Sequence, residues 1–226
     1  DLGAGVTATF AALRAHPQAQ LVIRVHPNAG SRRSLGRNPQ DAALFAALGD
    51  RLPDNVRLVP SDDETSSYTL AGAAALTLVW HSTIGLEAAA IGCPVVRVGS
   101  GWFKPCDALV PLARSGAYGT AIATALGADA DERARRTVQA WRYAYNWYFR
   151  YCLPFTHVRQ SEWYLGEPTY ADIADLAPGR DAVLDRICGH LMTGAPLRPA
   201  RPTRTGGDSA EISAILAHAR ALAGAS

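Results

Sequence analysis

Residues 76–99 read LTLVWHSTIGLEAAAIGCPVVRVG. Two apolar runs, LTLVW and PVVRVG, flank a polar break at His81-Ser82-Thr83 and an alanine-rich stretch that stops at Gly92-Cys93-Pro94. Short apolar runs bounded by turn residues read as buried strands, and the segment between them reads as a helix. A strand, helix and strand of these lengths form a right-handed crossover unit with parallel strands. Gly92 and Pro94 need no further role, since they end the helix and set up the next strand.

The same alternation continues on the N-terminal side. GVTATFAALRA (residues 5–15) reads as a helix, and LVIRVHP (21–27) is a β-branched run ending at His26-Pro27. Residues 28–39 form a loop rich in Gly, Ser, Arg and Asn, QDAALFAALGDRL (40–52) has helical spacing, and NVRLVP (55–60) is another strand. Ser61 followed by Glu64 matches a capping box ahead of a helix through Tyr68 to Ala74. The pattern predicts an α/β chain: a Rossmann-like three-layer domain with a mostly parallel sheet, followed by C-terminal helices. No strand is followed by Gly-x-Gly-x-x-Gly, so the dinucleotide fingerprint is absent.

Beyond Gly99 the pattern turns helical, with a helix near residues 107–114 and a long amphipathic segment from Asp131 that carries WRYAYNWYFRYCLPF (141–155). Residues 193–208 are rich in Pro, Arg, Gly and Thr, and EISAILAHARALA (211–223) is a short amphipathic helix. The expected organisation is a Rossmann-like domain with a helical C-terminal part over 1–192, a flexible linker over 193–209 and a helix over 210–226.

At 226 residues and 48% hydrophobic, the chain is able to bury a substantial core. A net charge of +2 is too small to signal nucleic acid. Lys104 is the only lysine, and the arginine excess suits phosphate and carboxylate pairing as well as it suits a codon bias. Cys93, Cys106, Cys152 and Cys188 are scattered without a Cys-x-x-Cys pair or histidines at ligand spacing, which predicts reduced cytosolic thiols and no metal. No apolar run approaches the ~20 residues that span a bilayer. A start at Asp-Leu-Gly rather than Met suggests a piece of a larger protein.

Ligands of open parallel sheets bind at the carboxyl ends of the strands. His26-Pro27 follows one strand, Ser61 to Ser67 another, and Ser82-Thr83 a third, so the three polar clusters share an edge. Ser82 and Thr83 stand at a helix start, where amides and the dipole favour an anion; Gly85 would keep bulk away; Glu87, four residues after Thr83, can accept hydrogen bonds from a vicinal diol. Capping by Ser82 and a solvated Glu87 explain the same residues without a ligand, and helix physics leaves both readings open. His26 could donate to a phosphate oxygen. Arg24 shares its strand face, a sheet-edge ion pair being its plainer role. His81 lines the site or is packed, and the second His-Pro pair, His16-Pro17, is assigned no role. Asp62, Asp63 and Glu64 are the one acid cluster nearby, and capping accounts for them better than a metal does.

The Val25-His26-Pro27 motif, the stretch NVRLVPSDDETSSYTLAGAAALTLVWHSTIGLEAAAIGCPVV and their order resemble the C-terminal donor-binding domain of GT-B glycosyltransferases of bacterial capsule and surface polysaccharide, including Kdo-transferase and sialyltransferase-like groups. The resemblance spans about residues 20–100. It implies that residues 1–192 form a nucleotide-sugar-binding domain in which His26, Pro27, Ser82, Thr83, Gly85 and Glu87 bind the donor nucleotide and phosphate, with a CMP-activated acidic sugar slightly preferred over a UDP-sugar. It implies no cofactor beyond the nucleotide sugar and no metal. An N-terminal acceptor domain, absent from this chain, would supply the catalytic base and bind the glycan or glycolipid acceptor, so the fragment alone would bind donor without transfer. The implied location is cytoplasmic, at the inner face of the membrane.

The aromatic stretch 141–155 reads as a packed helix, a crossing to the partner domain, or a peripheral membrane contact. Two other functions share the architecture: a UDP-sugar 2-epimerase-like enzyme, and a non-catalytic module of polysaccharide assembly or export.

Overall fold

The computed structural model describes residues 2–26, 39–98, 106, 108–111, 117–162, 165–198 and 209–224. The chain is a mixed α/β protein with small sheets of parallel strands. It divides into two units, residues 1–142 with 209–226, and residues 143–208. Residues 209–226 cluster with the first unit.

The first unit begins with α1 (Leu2–Leu13), which ends where the chain turns toward Pro17. β1 (Leu21–Arg24) pairs in parallel with β2 (Val56–Val59), Leu21 opposite Val56 and Arg24 opposite Val59. The crossover between them carries α2 (Pro39–Leu48), with proline at the first helical position, where its missing N–H costs nothing. α3 (Ser67–Ala73), β3 (Thr77–Val79), α4 (Ile84–Ala90), β4 (Val95–Arg97) and β5 (Val110–Pro111) follow, and the last three strands form a parallel sheet in the order β3–β4–β5. Leu76, Leu78, Val96 and Val98 meet Ala121 and Ala125 of α5 (Tyr118–Leu126), whereas Val79 meets Gly85 of α4. Because side chains alternate across a sheet, the two helices cover its opposite faces. That is why Val95 and Val96, adjacent in sequence, are both fully buried.

One expectation is shown only in part in this unit, and two are corrected. Among the described residues the parallel strands form two separate sheets, with β1 paired only to β2. β1 is only partly covered: Val22 is exposed and Arg24, on the same face, is half-buried. Residues 110–111 of the expected helix near 107–114 are strand β5, and Pro111 fits because it lies in the last strand of its sheet. Positions 107 and 112–116 lie outside the described residues.

The capping box of Ser61 and Glu64 is also replaced. Residues 61–62 form a turn, Asp63 Oδ1 accepts from the Thr65 amide at 2.7 Å, and the helix starts later, capped by Ser66 Oγ accepting from Tyr68 N at 3.2 Å. Asp63 and Ser66 are competing caps, and the one adjoining the apolar run sets the start.

α6 (Ala130–Ala144) closes the first unit and runs into the second. Trp141 donates its indole N–H to the Ala90 carbonyl at 2.8 Å and stacks on His218 of α8 (Ser209–Gly224), and Arg220 of α8 pairs with Asp131 at 2.7 Å. The helix therefore joins α4 and α8.

In the second unit, Tyr145–Tyr151 widens into a π-helical turn. An antiparallel hairpin follows, β6 (Val158–Glu162) with β7 (Leu165–Pro168), which the expectation of C-terminal helices missed. α7 (Ala182–Thr193) is capped by Asp181, whose carboxylate accepts from Val183 N and Leu184 N at 2.8 and 2.7 Å, and stops at Gly194, whose φ of 72° favours glycine. The linker expected over 193–209 is partly ordered: Thr193 belongs to α7 and Arg198 is hydrogen-bonded, while 199–208 lie outside the described residues.

Candidate functional site

The three polar clusters at the strand ends are connected by specific contacts, read from β1 outward. Val25 N donates to Val59 O at 2.9 Å, extending the β1–β2 ladder by one rung, and His26 stands exposed directly after it. Pro27 lies outside the described residues. The Arg24 guanidinium donates to the carbonyls of Val25 (3.0 Å), Pro60 and Asp63 (3.0 Å). Arg24 therefore clamps the loop after β2 to the end of β1 rather than offering a sheet-edge ion pair. The same loop holds the Asp63 carboxyl below the usual carboxylate range, first through the Thr65 hydroxyl and amide and then through the Arg24 charge.

The loop leads into α3, and α3 reaches α4 through a contact between Tyr68 and Glu87. The Glu87 carboxylate pushes the Tyr68 phenol above its ordinary range, chiefly by its charge and then by accepting the phenolic hydrogen bond. Both groups sit in first turns, Tyr68 largely exposed and Glu87 half-buried. A carboxylate has lone pairs for more than one donor, as a sugar diol would provide. Tyr68 is the participant that sequence reading missed. Its available signal was position, in the first turn of a helix after a parallel strand.

The start of α4 is more closed than expected. Ile84 N donates to Ser82 Oγ at 3.4 Å, Gly85 N to Ser82 O at 3.3 Å, and Leu86 N and Glu87 N to Thr83 O at 2.9 and 3.2 Å. The four amides from Ile84 to Glu87 are thus engaged within the turn. The helix spans seven residues, too few for a full macrodipole. What this edge presents outward is Thr83, exposed and making no capping bond with its side chain, together with exposed His81 and His26.

Gly85 answers a different demand from the one expected. A Cβ there would lie 2.6 Å from Val79 Cγ1 and 3.3 Å from Cγ2, so the missing side chain lets α4 settle onto β3. Close helix–strand packing is sufficient reason for this glycine.

Cys93 is a core thiol. It lies 3.3 Å from the Thr77 hydroxyl, it is buried, and burial pushes its thiol up, which suppresses the reactive thiolate. A small cavity between α4, β4 and α6, lined by Cys93, Arg133 and Thr137 among others, has room for about one water. None of the candidate site residues lines it. Among the described residues no group of three His, Cys, Asp or Glu side chains is placed to hold a metal. No helix among them is long and apolar enough to cross a membrane.

No protein-family model matches the chain. Comparisons with curated proteins and with solved structures likewise gave no match.

Proposed function

We propose that the first unit is the nucleotide-sugar-binding half of a GT-B glycosyltransferase of bacterial capsule or surface polysaccharide synthesis, working in the cytoplasm at the inner membrane face. Its finer architecture in this reading is Rossmann-like and three-layered. The observation that carries the proposal is the continuity of the polar edge: Arg24 fastens the loop after β2 to the end of β1, and that loop leads into α3, which packs on α4. Polar loops at the carboxyl ends of parallel strands are where such proteins bind nucleotides.

In this reading Glu87 accepts from the ribose hydroxyls. Thr83, Ser82 and His26 hydrogen-bond the phosphates. Breaking a sugar–phosphate bond builds negative charge on the departing nucleotide, and fixed donors stabilise that charge more as the bond opens. With the first-turn amides engaged inside α4, the hydroxyls and imidazoles carry this work. Transfer itself needs an acceptor domain and its base.

Calorimetric titration of the chain with CMP, UDP and GDP tests the assignment. One nucleotide should bind, and Ser82→Ala with Thr83→Ala should weaken it by about a hundredfold or more, the worth of two hydrogen bonds to a charged group. Binding of none of the three, or binding indifferent to that double change, overturns the proposal.

A further inference from the structure

One ring joins the candidate edge to the first helix of the chain. Trp80 follows Val79 at the carboxyl end of β3 and directly precedes His81-Ser82-Thr83. Its ring lies against Gly5 of α1: a Cβ there would overlap Cζ2 of the indole and lie 2.5 Å from Cη2 and 3.1 Å from Cε2. Glycine inside a helix costs about 1 kcal/mol relative to alanine, so its presence calls for a packing reason. The reason here is a seat for the indole on bare helix backbone, which any side chain would fill.

The seat has firm surroundings. α1 packs against α5, and its Val6 and Thr9 are buried. The chain that carries the ring is fixed on both sides. Before Trp80, Val98 N donates to Val79 O at 2.8 Å, and after His81, Gly85 N donates to Ser82 O at 3.3 Å in the first turn of α4. Among the described residues, no hydrogen bond to the main chain of Trp80 or His81 lies between these two points. Packing rather than hydrogen bonding holds the intervening chain, and the indole supplies it.

We propose that Trp80 is a positioning residue for the ligand edge: its ring, seated on Gly5, sets where His81, Ser82 and Thr83 stand, so that α1 and the edge move together. The consequence for binding rests on the nucleotide reading of that edge, whereas the coupling does not. Carbons rest at about 3.5–4.0 Å, so a methyl on Gly5 drives the ring back by about 1 Å or more. A shift of that size takes hydrogen bonds from the neighbouring hydroxyls out of their working range of about 2.7–3.2 Å.

Hydrogen exchange of the nucleotide-free chain, read by mass spectrometry, tests the coupling. Gly5→Ala should speed exchange over residues 80–87 by about fivefold or more and leave β4 unchanged. Trp80→Phe lacks the Cζ2 and Cη2 atoms, cannot overpack, and should loosen the same residues. The double variant should exchange more slowly there than Gly5→Ala alone, because the methyl takes the space of the lost ring atoms. In calorimetry with CMP, UDP and GDP, the nucleotide that binds the wild-type chain should bind Gly5→Ala about tenfold or more weakly and recover in the double variant. A role confined to stability would lower the urea midpoint and leave the affinity of the folded chain unchanged. Exchange over 80–87 unaltered in both single variants, or raised equally across β4, overturns the coupling. Unchanged nucleotide affinity in Gly5→Ala overturns the positioning role. Exchange that responds as expected while no nucleotide binds the wild-type chain overturns the nucleotide reading and leaves the coupling standing.

Discussion

Substituting Gly85 by alanine separates two roles for one residue. The added Cβ would sit 2.6 Å from Val79 Cγ1, 3.3 Å from Cγ2 and 3.4 Å from Cβ, whereas carbons rest comfortably at about 3.5–4.0 Å. About 1 Å of relief is needed, and Val79 is poorly placed to give it. Its side chain is 3% exposed, β-branching restricts its rotamer, and its carbonyl is fixed by Val98 N at 2.8 Å. Helix α4 must therefore lift from β3. Overpacking of this kind costs about 1–3 kcal/mol, and alanine returns up to about 1 kcal/mol through helix propensity, less at the second position of a helix than in its middle.

The net expectation is a loss of about 1–2 kcal/mol, read as a shifted urea midpoint at constant slope by circular dichroism. Val79→Ala alone should cost about 2 kcal/mol through lost burial and a cavity. In the Gly85→Ala background that cost should shrink by about 1 kcal/mol or more, because the new methyl enters the space that the valine methyls leave. If Gly85→Ala is neutral or stabilising, or if the two changes add without coupling, the packing explanation is wrong. A variant of unchanged stability that loses nucleotide binding would instead return Gly85 to a role in ligand approach.

Other measurements probe separate contacts. Tyr68 is raised above the free phenol value of 10.0 in the folded chain, so its contact with Glu87 stabilises fully below that pH and is lost as pH rises through the folded value. Glu87→Gln should shift one tyrosine ionisation downward in ultraviolet difference titration; an unmoved titration curve would break the pair. Ellman's reagent should modify exposed Cys152 and Cys188 quickly in the native chain, and buried Cys93 and Cys106 only on unfolding, so four fast thiols would contradict the packing. Trp141→Phe, which removes the bond to Ala90 O and weakens the stack on His218, should cost about 1–2 kcal/mol in urea. Arg220→Ala, breaking an exposed pair with Asp131, should stay within about 0.5 kcal/mol in the same assay.

The elements that sequence reveals here are those whose own residues carry the period. LVIRV, NVRLV, LTLV and VVR became strands, and the alanine-rich stretch became α4, because hydrophobic pattern and turn residues agree at each. The hairpin of β6 and β7 escaped because VRQSE has one apolar residue and lies largely exposed, so no buried face imposes an alternation. Strand pairing escaped for another reason. Whether β1 meets β3 depends on cover supplied by distant segments, and Val22 gives no warning of its exposure.

At the candidate edge, Ser82, Thr83 and Glu87 are legible from helix rules, and the start of α4 falls where those rules put it. The destination of each amide is not legible, since an N–H can satisfy itself within its turn or face outward with the same sequence. The Tyr68–Glu87 contact joins residues nineteen apart, on helices whose packing is set by the strands beneath them.

Arg198 carries a consequence for chain boundaries. It lies outside any helix or strand, yet its guanidinium reaches back 46 residues to the Cys152 carbonyl at 2.5 Å and to the Phe149 carbonyl at 3.3 Å. The last carbonyls of a helical turn have no partner within it, and here an arginine from far downstream serves them. During synthesis the aromatic turn stays unclasped until residue 198 has emerged, so its order is completed late. A protease cut just past Gly194, or an expression boundary drawn there because α7 has ended, removes no helix or strand of the second unit among the described residues and still unfastens Tyr145–Tyr151.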